Sequence, residues 1–197
     1  NQNKLSTIFN KQFMKKKYSR LSFYALTMFA VVAISISCSD DKKITEEPDP
    51  TEFELKGSLT GERTLLAGST YKLIEGYNVK DGGKLIIEED VTIIATNTSS
   101  DPDYILIEQG ATIEAKGTKD KPIVMTSSVQ KPGKWGGLHI CGKAPINLTG
   151  GSGKSEIGNV KFGGTDAEDN SGTLMYVRLD YTGFAFDENT ESNGLTM

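Results

Sequence analysis

The sequence predicts an all-β chain wound as a right-handed parallel β-helix, a solenoid, and three observations carry that prediction. From Phe53 onward, short Val/Ile/Leu/Thr runs are punctuated by Gly, Asp and Pro, and no segment holds a 3.6-residue apolar period. A strand–turn–strand unit then repeats without gaps at an offset of 20 residues. Asn193-Gly194, at the end of the chain, is its only Asn-Gly, which disfavours the alternative of an antiparallel sandwich.

The segments ahead of Phe53 read differently. Residues 1–13 lack an initiator Met and precede a basic stretch, Met14 to Arg20, so they are read as upstream read-through and left out of fold reasoning. Residues 14–37 have the parts of a lipoprotein signal peptide: the basic n-region, an uncharged apolar run from Leu21 to Ile36, and small residues before Cys38. The apolar run falls short of the ~20 residues a spanning helix needs, which disfavours an uncleaved anchor. Cys38 is therefore the expected lipidation site and mature N-terminus, although Ser35 stands where such signals usually carry an aliphatic residue. Residues 38–52, charged and with two prolines, cannot bury enough apolar surface to offset their ordering entropy and read as a flexible acidic tether. Ser39-Asp40-Asp41 after the cysteine resembles the surface-export signal of Bacteroidetes-type lipoproteins. That resemblance implies an outer-membrane, lipid-anchored and surface-exposed protein whose first partner is the membrane.

Charge sharpens this reading. Six of the 22 bases precede Cys38 while all 26 acids follow it, so the mature segment carries about −10. Nucleic acid is thereby excluded as a partner, because a phosphate backbone needs a basic footprint. With Cys38 lipidated, Cys141 has no partner and no disulfide framework exists. His139 is the single histidine, so no histidine-cluster metal site can form.

Residues 53–197 are the β-helix domain. Leu85 to Ala95 aligns onto Ile105 to Ala115, with Ile87/Ile107, Glu88/Glu108, Thr92/Thr112, Ile93/Ile113 and Ala95/Ala115 identical. Each copy is two short strands about a turn, and Leu85, Ile87, Val91, Ile93 and Ala95 are expected to face inward on the two-residue period of a strand. Such a unit buries its apolar face only by stacking on neighbours. Asn193 to Met197 reads as the opening of another strand, so the domain is expected to be the N-terminal part of a longer solenoid, truncated at its C-terminus.

Several segments carry a resemblance. Gly110 to Thr118, Lys121 to Ser127, Pro132-Gly133-Lys134-Trp135-Gly136-Gly137-Leu138, Gly142 to Asn147, Phe162 to Asp166 and Asp169 to Arg178 together resemble a family of Bacteroidetes surface lipoproteins, from about Leu73 to Met197. The resemblance implies a right-handed β-helix of the pectate-lyase type in a longer protein. It brings no settled activity and no catalytic residues.

Four groups of residues are candidates for chemistry. Gly150 to Ser155 looks like a phosphate loop, but Leu148 stands where the motif needs its first glycine and no apolar helix follows, so the nucleotide reading is discarded. Asp166, Glu168 and Asn170 place oxygens at alternate positions and form a candidate Ca2+ site, set against an acidic turn whose Asp and Asn cap local backbone. In the run Leu174 to Tyr181, an inward set of Met175, Val177, Leu179 and Tyr181 leaves Tyr176, Arg178 and Asp180 as an outward aromatic–cation–acid row. With Trp135 that row is a candidate glycan-contact face; the alternatives are an ordinary Arg/Asp ion pair and a corner-packing tryptophan. Asp187 and Glu188 add carboxylates nearby, while His139 is expected on the surface and Cys141 as a packed thiol. Two functions follow. One is a lipid-anchored surface module that binds or adheres to extracellular glycan or another macromolecule; the other is a polysaccharide lyase or glycoside hydrolase using carboxylates on the β-helix face.

Overall fold

The computed structural model describes residues 53–186 and 191–197. The 1–13 segment, the signal at 14–37, Cys38, the tether to residue 52, and Asp187 and Glu188 lie outside them.

The chain winds in successive coils. The first holds β1 (Glu54–Leu59) and β2 (Glu62–Leu65), and the second holds β3 (Thr70–Val79) and β4 (Lys84–Ile87). The third holds β5 (Thr92–Ala95), β6 (Tyr104–Ile107) and β7 (Thr112–Lys116). The fourth holds β8 (Ile123–Ser127), β9 (Leu138–Ile140), a small hairpin of β10 (Gly153–Lys154) and β11 (Lys161–Phe162), and β12 (Gly172–Met175). A fifth begins with β13 (Val177–Leu179) and β14 (Leu195–Thr196). Apart from that antiparallel hairpin, the strand pairs described are parallel. Parallel neighbours joined by crossovers are the mark of a parallel β-helix.

The coil has three faces. β3 pairs with β5 through Thr70–Leu73 and with β6 through Gly76–Val79, so the chain turns a corner inside one strand. Glu75 makes that corner with φ +59°, a conformation few non-glycine residues adopt. The first face is thus the front of β3 with β5, β8 and β13; the second is its back with β6, β9 and β14; the third is β2, β4, β7 and β12.

Alternation fills the interior as expected. Leu85, Ile87, Val91, Ile93 and Ala95, and their counterparts Ile105, Ile107, Ala111, Ile113 and Ala115, are all buried in one core cluster. The 20-residue repeat, however, is not the coil. In the ladder Leu85 lies beside Ile113 and Ile93 beside Met125, which are 28 and 32 residues apart. What repeats is a corner: the left-handed residue of each turn is Asp90 in one copy and Gly110 in the other. The corner recurs because its turn needs a residue that tolerates positive φ, whereas coil length is free to vary at other corners.

Between Leu174 and Tyr181 the expected single strand is broken. Tyr176 turns the corner with φ +49°, so β12 and β13 belong to different faces and the alternation restarts. Leu174 packs against the core and Met175 is 48 % exposed, reversing the inward assignment of Met175, while Val177 and Leu179 do pack inward.

Insertions gather on two corners. Between the first and second faces the connection is Glu75 with its neighbour Ile74 in the second coil, then residues 96–103 and 128–137, and in the fifth coil the described residues 180–186 and 191–194. Between the second and third faces the fourth coil inserts residues 141–171. These segments cover the outside of the second face. Leu106 points away from the core yet is fully buried, and a Cβ on Gly158 would lie 2.8 Å from its Cδ2.

His139 corrects a second expectation for the same reason. It alternates with inward Leu138, but its outward side is roofed over and it is buried. Its Nε2 lies 2.9 Å from Ser192 Oγ and 2.8 Å from the Gly136 carbonyl, and Ser192 Oγ also donates to that carbonyl. Burial lowers its pKa from the ordinary 6.5, against raising contributions from Gly136 and Glu156.

Ile113, held between Leu85 and Gly172, should cost about 2–5 kcal/mol when truncated to alanine, measured as a shift in urea midpoint. Its outward neighbour Thr112 should stay within about 0.5 kcal/mol on the same change. For His139, folding holds the imidazole neutral where the unfolded chain binds a proton. Stability is therefore unaffected above pH 6.5 and declines as pH falls from there toward the lowered folded value. A His139→Gln chain should lose that slope in denaturation series run on either side of it.

Candidate functional site

The corner between the first and second faces is built on one buried carboxylate. Asp103 Oδ1 accepts from the Glu75 amide at 2.5 Å, and its Oδ2 accepts from the Asn97 amide at 2.8 Å. Both donors sit at positive φ, so the carboxylate fixes two left-handed corners on adjacent coils. Asn97 continues the network: its Oδ1 accepts from Ser127 Oγ at 2.6 Å, and its Nδ2 donates to the Lys134 carbonyl. A rigid edge results, and the insertions leave from it.

Outside that edge lies a cleft of about 420 Å³. Its floor is Gly76, Asn78 and Tyr104 of the second face; Asp101 and Pro102 form one wall, Glu156 to Gly158 of the 141–171 insertion another, and Phe186 and Glu75 the rim. Tyr104 is fixed by glycines. A Cβ on Gly76 would stand 2.5 Å from the Tyr104 ring and hydroxyl, and one on Gly136 would stand 3.1 Å from its Cβ. The ring can lie over the neighbouring coil only because residue 76 has no side chain. Among the described residues its hydroxyl has no hydrogen-bond partner, so it is available to a ligand.

Three carboxylates line this cleft. Glu75 pairs with Lys56 at 3.5 Å, with both side chains about half exposed, so the pair contributes little. Asp101 and Glu156 make no ion pair among the described residues. The carboxylates do not converge: no group of three or more His, Cys, Asp or Glu close enough to hold a metal ion exists among the described residues. The cleft can accept hydrogen bonds from hydroxyls or amines and present aromatic rings to a ligand.

Two other hollows are less suited. One on the third face is walled by Glu114, already clamped between Lys84 at 2.9 Å and Lys116 at 2.8 Å; hydrogen bonds from Lys116 and Lys84 hold its carboxyl down at about 2. The other, between Ile140, Leu174 and Met197, is mostly apolar.

The residues singled out from sequence fall elsewhere. Trp135, a candidate glycan contact, is 0 % exposed and its indole donates to the Asp180 carbonyl at 2.7 Å. It packs inside the corner and cannot reach a ligand, because its flanking glycines let the backbone close around it. Tyr176 is 56 % exposed at the third-to-first corner, and Arg178 is paired with Asp180 at 2.9 Å on the outer first face. None of the three lines the cleft. Asp166 Oδ1 accepts from the Glu168 amide at 3.1 Å, Asn170 Oδ1 from the Gly172 amide at 2.9 Å, and Asp169 Oδ2 from the Lys143 amide at 2.8 Å. Asp166 and Asn170 thus cap the loop's own backbone, and Asp169 ties the loop to Lys143. Gly153-Lys154 is a strand of the small hairpin and not a phosphate loop. Cys141 is buried, and burial pushes its thiol up.

Sequence reasoning missed Glu75, Asp101, Tyr104 and Glu156. Gly76 and Gly136 were the available signal, since a glycine within or beside a strand marks close approach by another group.

No curated protein and no solved structure matches the chain. A family model described as a pectate-lyase like β-helix domain matches residues 57–197, more than half of the chain and nearly all of the coils described above. The chain belongs to the pectate-lyase like β-helix domain family.

Proposed function

We propose that this protein is a lipid-anchored surface module that binds extracellular glycan in the cleft over Tyr104. The observation that carries the reading is the ring fixed over Gly76 inside a cleft with side-chain oxygens on several sides. A pre-positioned aromatic with few rotatable bonds loses little entropy on binding, and side-chain oxygens accept from sugar hydroxyls. The signal at 14–37 and Cys38 support attachment to the outer membrane, the acidic residues after Cys38 support display on the cell surface, and the resemblance to Bacteroidetes surface lipoproteins agrees with both.

The reading as a polysaccharide lyase or glycoside hydrolase draws on one observation, that Glu75, Asp101 and Glu156 share the cleft. A hydrolase would need a pair of carboxylates at about 5–5.5 Å or about 6.5–9.5 Å across a glycosidic bond, and a lyase a base placed to remove a proton from the sugar ring. Binding needs no such pair, and it is the reading favoured here.

In a panel of soluble oligosaccharides followed by calorimetry, Tyr104→Ala should weaken the best ligand by about 2 kcal/mol, roughly thirtyfold, while Tyr104→Phe should keep most of the affinity. Equal binding by the alanine variant would remove the cleft from the reading. Release of reducing ends or unsaturated products from the same panel would favour the enzyme.

Expressed in a Gram-negative host, the full chain should incorporate a palmitate label and fractionate with the outer membrane. Cys38→Ala should do neither.

A further inference from the structure

We infer that the cleft selects amino-sugar polymers, glycans carrying protonated free amines, and rejects polyuronates. The inference rests on the glycan-binding reading above and adds the charge of the ligand.

The lining carries one sign. Glu75, Asp101 and Glu156 face the cleft, and among the described residues no lysine, arginine or histidine lines it. Lys56 offsets Glu75 only partly, at 3.5 Å and largely in solvent. His139 is buried, and that burial lowers its pKa. A ligand that covers carboxylates strips water from them, and that loss is best compensated by a positive charge.

Aromatic groups point the same way independently. Tyr104 and Phe186 line the same cleft, and ring faces attract organic ammonium groups through their quadrupole. Carboxylates beside aromatic rings therefore favour a cationic sugar over a neutral one. A polyuronate meets like charge at three points and gains nothing from the rings beyond what a neutral sugar would. Selection is then by repulsion as well as attraction.

Calorimetry on the full chain, at a mildly acidic pH where the ligand amines are charged, tests this directly. The probes are a glucosamine oligomer, the N-acetylglucosamine oligomer of the same length, and an oligogalacturonate. The glucosamine oligomer should bind at least tenfold more tightly than its acetylated counterpart, and the oligogalacturonate should give no heat. Asp101→Asn with Glu156→Gln should erase the tenfold preference while leaving the melting temperature unchanged, since both side chains are exposed. Equal or tighter binding of the acetylated oligomer overturns the inference, as does binding of the galacturonate. Survival of the preference in the double variant also overturns it, by assigning the preference to the general negative charge of the domain. Those outcomes leave the glycan-binding reading standing, whereas a chain that binds none of the three oligomers removes that reading itself.

Discussion

Each coil of this β-helix rests on the next through a parallel ladder in which like faces stack in register. Leu85 meets Ile113, Ile93 meets Met125, and Ile107 meets Ile140. A one-residue slip would turn every buried side chain outward, so the faces admit no insertions. Extra residues can enter only where the ladder is interrupted, at the corners. This constraint sends residues 96–103, 128–137, 141–171 and 180–186 to the edges of the second face, and the cleft lies where the first, third and last of these meet.

Asp103 shows how the edge bears those insertions. One buried carboxylate holds the amides of two left-handed residues on adjacent coils, so the corner below the cleft is fixed by charge-assisted hydrogen bonds rather than by packing. Its own carbonyl accepts from the Gly136 amide at 2.8 Å, which ties the fourth coil to the same point. Residue 136 recurs beneath Tyr104, beside Ile157 and in the hydrogen bonds of His139 and Ser192. Close packing at that position leaves no room for a side chain.

What could be read from the sequence follows from the range of each interaction. Inward alternation was legible because it depends on neighbours two residues apart. The corner repeat was legible too, but its 20-residue spacing misstated the coil, since the turn chemistry recurs at more than one corner while the loops between corners differ in length. Exposure was not legible on the second face. Leu106 and His139 leave the core on schedule, but their cover comes from Gly158 and Ser192, which lie 52 and 53 residues further along the chain. Trp135 failed in the opposite sense: its glycine neighbours suggested an open position, whereas they allow the backbone to enclose the indole.

The cleft itself could not be read for a related reason. Glu75, Asp101 and Glu156 lie on the second coil, the third coil and the long insertion of the fourth, and only the winding of the chain brings them together. The ladder does more than support the site, because register places Gly76 directly beside Tyr104. A missing side chain on one coil becomes the seat of an aromatic ring on the next. Membership of a β-helix family therefore fixes the scaffold and leaves the ligand open. The ligand is set by what the corners carry, and around this cleft they carry carboxylates and aromatic rings, with Lys56 paired to Glu75 at the rim.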